Sequence, residues 1–96
     1  MKLSFVPVVN IIKNMYFVTP TKSNAWQRII IRCNKMQAFM LDKLTVETTE
    51  EGLVAATREV FPEDSEETIL QAITDIKDKV LALKLSEDIL SVVDLC

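Results

Sequence analysis

Histidine is absent from the chain, and glycine occurs once, at Gly52. Without histidine there is no common general base, no common zinc ligand and no Cys-His or Ser-His nucleophile pair. A single glycine excludes the glycine-rich turns that cradle phosphates or dinucleotides, which need close backbone approach at several positions. It also argues against an architecture of many hairpins, because tight turns with positive φ favour glycine. Helices are therefore expected to dominate. Cysteine is scarce too: Cys33 and Cys96 make no disulfide framework, so a reducing, cytoplasmic setting is expected.

Long apolar runs are missing as well. Leu3 to Ile12 is the longest candidate, but Asn10 and then Lys13 and Asn14 interrupt it, so neither an export signal nor a membrane-spanning helix is expected. The remaining composition is that of a globular chain, 49% apolar and 26% charged over 96 residues. One domain is expected across 1–96, with a linker-like turn at 19–24 made of Thr19, Pro20, Thr21, Lys22, Ser23 and Asn24.

Charge is distributed unevenly. Residues 1–45 carry seven basic residues against Asp42 alone, a net of +6, and residues 46–96 carry four against thirteen carboxylates, a net of -9. The halves together give the overall -3. Opposed halves can attract within a molecule or between copies, and a homo-oligomer is expected.

Periodicity reads as an all-α bundle of four or five helices, with a short strand possible near the N-terminus. Val8, Ile11, Ile12 and Met15 fit one face of a helix over about 7–17 that starts at Pro7. The competing reading is a strand at Leu3–Val9 or Met15–Val18, where β-branched and aromatic residues gather. A central helix is expected from Ala25 to Leu44, with Trp26, Ile29, Ile30, Cys33, Met36, Met40, Leu41 and Leu44 as its apolar stripe. Thr48 and Glu51 read as a capping box for a helix ending before Pro62. Ile69, Ile73, Ile76, Val80 and Leu83 form a heptad seam on the next helix, suited to a core or to an oligomer interface. Ser86 could cap a final turn carrying Ile89 to Leu95.

These features point away from catalysis. Acid pairs such as Glu63 with Glu66, or Asp75 with Asp78, are expected on solvated surface, and Cys33 is expected in the core. No cofactor or metal is implied. On the predicted central helix Arg28, Arg32 and Lys35 would form a basic row, flanked by Trp26 and Phe39, as the candidate partner-binding surface. The expected function is that of a small adaptor, inhibitor or assembly factor that binds another protein, a type common among phage-encoded and other mobile-element-encoded proteins. Two alternatives are a nucleic-acid regulator using the basic row and a structural subunit of a virion-like assembly. Nucleic acid is the less expected partner, since three cations face the field of thirteen carboxylates.

Overall fold

The computed structural model describes residues 1–24, 26–85 and 88–96. It corrects the all-α helical-bundle expectation: the chain is mixed α/β, a four-stranded sheet with three helices among the described residues. The strands are β1 (Pro7–Ile12), β2 (Met15–Pro20), β3 (Ile29–Cys33) and β4 (Ser91–Asp94), ordered in the sheet as in the chain. The first three run antiparallel, and β4 lies parallel to β3. A parallel pair needs a long crossover, here supplied by α1 (Lys35–Lys43), α2 (Glu50–Val60) and α3 (Glu66–Ile76).

The expected helix over 7–17 is instead the β1–β2 hairpin. Its two-residue turn, Lys13-Asn14, has φ of 51° and 66°. Positive φ at both central residues matches the right-handed twist of the flanking strands, and asparagine tolerates that conformation nearly as glycine does. The scarcity of glycine was therefore no bar to a hairpin. Of the competing strand readings, Met15–Val18 falls inside β2, whereas Leu3–Val9 overlaps β1 only at its start.

The expected central helix is divided. Ile29, Ile31 and Cys33 alternate with Ile30 and Arg32 along β3, and the helix begins only at Lys35. The break is chemical. Asn34 is an N-cap whose side chain accepts from the Gln37 amide at 2.8 Å, while the Gln37 Oε1 accepts from the Asn34 amide at 2.9 Å. Ala25, the expected start of that helix, lies outside the described residues, as does Ser86. The segment 91–94, expected as a helical turn, is the edge strand β4.

Helices α2 and α3 lie where the pattern put them. Thr49, one residue after the expected Thr48, caps α2 by accepting from the Gly52 amide at 3.0 Å. Ser65 caps α3 by accepting from the Thr68 amide at 3.1 Å. A π-helical turn, Lys77–Leu81, extends α3.

The core lies between one face of the sheet and the helices. Val18, Ile29, Ile31, Cys33, Val93 and Leu95 contribute from the strands and their continuation, against Met40, Leu41, Leu44 and Leu53 of the first two helices and the loop between them, and Ile69, Ile73 and Ile76 of α3. Leu3 and Phe5 close one side, with the Leu3 amide donating to the Leu44 carbonyl at 2.8 Å. Gln37, the one polar side chain in the expected stripe, is buried, and its Nε2 donates to the Leu95 carbonyl at 3.0 Å. It thereby ties α1 to the end of β4.

Candidate functional site

The strand register sorts the side chains of the sheet onto two faces. Tyr16 and Val18 pair with Cys33 and Ile31, and Val93 pairs with Ile31, so these residues face the helices together. The opposite face then carries Val8, Asn10 and Ile12 of β1, Met15, Phe17 and Thr19 of β2, Ile30 and Arg32 of β3, and Val92 and Asp94 of β4. A sheet covered on one side normally turns polar residues to water on the other. Here six of those ten side chains are apolar, and no element among the described residues covers them. Val92 is 72% exposed and Ile12 58%, while Met15, Phe17 and Ile30 are half-buried among their neighbours.

Strand β1 is open on its helix-side face as well. Ile11 is 61% exposed and Val9 39%, even though α1 reaches β1. The first strand therefore presents apolar side chains on both faces, and its outer edge pairs with no other strand among the described residues. Asp94 at the far edge is engaged: its carboxylate accepts from Arg32 across β3–β4 at 3.3 Å and from the Cys96 amide at 3.0 Å.

The residues expected to form a basic row do not share a helix. Arg28 precedes β3, Arg32 lies within it and Lys35 opens α1, so the helical spacing that aligned them is absent. Trp26 is exposed in the turn before β3, but its neighbour Gln27 is buried, donating through Nε2 to the Ser4 carbonyl at 2.9 Å. Phe39 is half-buried and meets the Phe61 ring edge-on with centroids 5.7 Å apart, while the Lys43 ammonium sits 5.4 Å from the Phe39 centroid. That cluster joins α1 to the end of α2. The heptad seam is covered within a single chain: Ile69, Ile73, Ile76 and Val80 are buried, and only Leu83 reaches solvent.

Two clefts lie between helices. One of about 370 Å³ lies between the start of α1 and α3, lined by Asn34, Gln37, Gln71 and Asp75 among others. Gln71 donates to Asp75 there at 3.1 Å. Another, between α2 and α3, holds Glu50, Glu51 and Glu66 beside Arg58, which pairs with Glu66 at 3.8 Å. Among the described residues no group of three His, Cys, Asp or Glu side chains could hold a metal, and no helix is long and apolar enough to cross a membrane. Burial, with a smaller contribution from Cys96, pushes the Cys33 thiol up to about 12, which keeps it protonated and unreactive. Comparison with protein-family models, with curated proteins and with solved structures finds no match to this chain.

The exposed sheet face is hidden in the sequence because Val8, Ile12, Met15 and Ile30 also fit the apolar faces of helices. The signals that could have found it were the unbroken β-branched run Ile29-Ile30-Ile31 and the Asn34-x-x-Gln37 capping box in mid-stripe.

Proposed function

We propose that the protein is a non-enzymatic binding module, an adaptor, inhibitor or assembly factor, that docks on another protein through the open face of its sheet. The observation that carries this reading is the asymmetry of the two faces. Helices close one, while Val8, Ile12, Met15, Phe17, Ile30 and Val92 line the other with no cover among the described residues. Apolar patches of this kind on a small domain mark interaction surfaces, since leaving them in water forgoes about 25 cal/mol for each Å² that could be buried. Both cysteines are free, which supports a reducing, cytoplasmic setting. The nucleic-acid reading loses support, because its cations do not share a helix and Arg32 is paired with Asp94.

The test uses Val92→Asp, at an exposed position of β4 remote from the hairpin. The wild-type chain used as bait should retain a protein partner that the variant loses, with unchanged circular dichroism and melting. Equal retention by both would overturn the role of this face. Duplex binding that weakens steeply with salt would instead promote the nucleic-acid reading.

A further inference from the structure

We infer that the open edge of β1 pairs with β1 of a second copy of this chain, antiparallel and about a two-fold axis at Asn10. The inference concerns the edge, and it stands apart from whatever covers the sheet face.

Backbone alternation identifies the groups that are available. In a hairpin with a two-residue turn, the residues flanking the turn exchange hydrogen bonds, here Ile12 with Met15. The same alternation puts Asn10 and Val8 in bonded pairs with Phe17 and Thr19, and the Thr21 amide donates to the Val6 carbonyl at 2.9 Å in keeping with it. The N–H and C=O of Val9 and Ile11 therefore point away from the sheet. Pro7, the next outward residue, has no N–H to offer.

These groups select one register. With the axis at Asn10, Val9 lies opposite Ile11 of the second copy, and all four outward N–H groups of the two strands meet outward carbonyls. An axis at Val9 would set the Ile11 carbonyl opposite a proline, and an axis at Ile11 would run Val9 against Lys13 in the turn. The side chains agree with the backbone. The segment Val8-Val9-Asn10-Ile11-Ile12 is palindromic in character about Asn10. Val9 would meet Ile11 on the helix-side face, Val8 would meet Ile12 on the outer face, and the two Asn10 amides would lie side by side on the axis, each able to donate to the other. Every exposed apolar side chain of β1 gains an apolar neighbour, including Val9 and Ile11, which packing on the outer face alone would leave wet.

Two further observations favour a second copy. No charge lies between Lys2 and Lys13, so self-pairing sets no like charges opposite one another. Apart from Pro7 at its start, the edge lacks the devices that keep natural edges apart, having no charge and no bulge within Val8–Ile12. The buried surface would be a few hundred Å² per copy, below the ~1,200–2,000 Å² total of stable interfaces and in the range of weak, transient ones. A dimer that dissociates in the micromolar range fits that area.

Size-exclusion chromatography with light scattering on the full chain tests the proposal. From low to high micromolar concentration the mass should rise from 10.9 kDa toward twice that value. Asn10→Lys and Asn10→Glu, at an exposed position of the single chain, should each remain monomeric with unchanged melting, and mixing them should restore the dimer. In a Cys96→Ser background, Asn10→Cys should crosslink across the axis, where the paired Cβ atoms lie about 4.5–5.5 Å apart. Val8→Cys, which faces Ile12 instead of itself, should not. A wild type monomeric throughout would leave the edge to an extended segment of a different protein and overturn the inference. So would a dimer indifferent to Asn10→Lys, or equal crosslinking at both positions. Loss of partner capture by Val92→Asp would be unaffected by any of these outcomes.

Discussion

Strands β1 and β3 are built from similar residues and meet opposite fates. In β3, Ile29, Ile31 and Cys33 are buried beneath the helices and only Arg32 is fully turned to water. In β1, five consecutive residues from Val8 to Ile12 are exposed, four of them valine or isoleucine. Apolar composition therefore does not by itself say what a strand is for. In β3 the branched side chains hold the fold together, and removing them from water supplies its stability. In β1 more of the same chemistry is left in water, and that is the ground on which a partner is proposed for it.

Substitution can break that contrast. The largest effect is expected for Ile31→Asp, which would put an unpaired carboxylate in a fully buried site of β3, at a cost of several kcal/mol. The variant should be unfolded by circular dichroism. Next is Gln37→Leu, which removes the donor to the Leu95 carbonyl and half of the Asn34 capping box. Leaving the buried Leu95 carbonyl and the part-buried Asn34 amide unmatched should lower stability by about 1–3 kcal/mol in urea unfolding, with β4 losing amide protection first. Ile11→Asp, the same change as at position 31 but on β1, should move the stability of the monomer by no more than about 0.5 kcal/mol.

The buried side of the contrast also has a pH signature. An unfolded thiol ionises near the ordinary value of 9.0, whereas burial holds folded Cys33 protonated until about 12. Between those values the unfolded chain binds fewer protons than the folded one, so stability is intact below pH 9 and falls as pH rises toward 12. Urea midpoints measured on either side of pH 9 should show the decline, and Cys33→Ala should flatten it.

Some of this architecture was legible in the residues. The start of α2 followed from the capping box read at Thr48 and Glu51, with the cap one residue later than expected. The seam of α3 was legible because a helix buried on one face keeps a regular period. The hairpin was not, for a physical reason: a strand apolar on both faces has no alternation to read, and Val8, Ile11, Ile12 and Met15 happen to suit a helical spacing. Its turn, Lys13-Asn14, lacks the glycine that would have marked it. The basic row failed with the helix that was to display it. Arg28, Arg32 and Lys35 fall in a loop, a strand and a helix, so the spacing that would align them along one helix does not apply.

Amide hydrogen exchange along β1 tests the central claim, that this strand is an open edge reserved for a second copy, most directly. In dilute solution Val8, Asn10 and Ile12, bonded to β2, should be protected, while Val9 and Ile11 exchange freely. At high concentration Val9 and Ile11 should become protected together, and Asn10→Lys should abolish that gain. Fast exchange at Val9 and Ile11 at every concentration would contradict the account, as would uniform protection of all five amides in the dilute monomer.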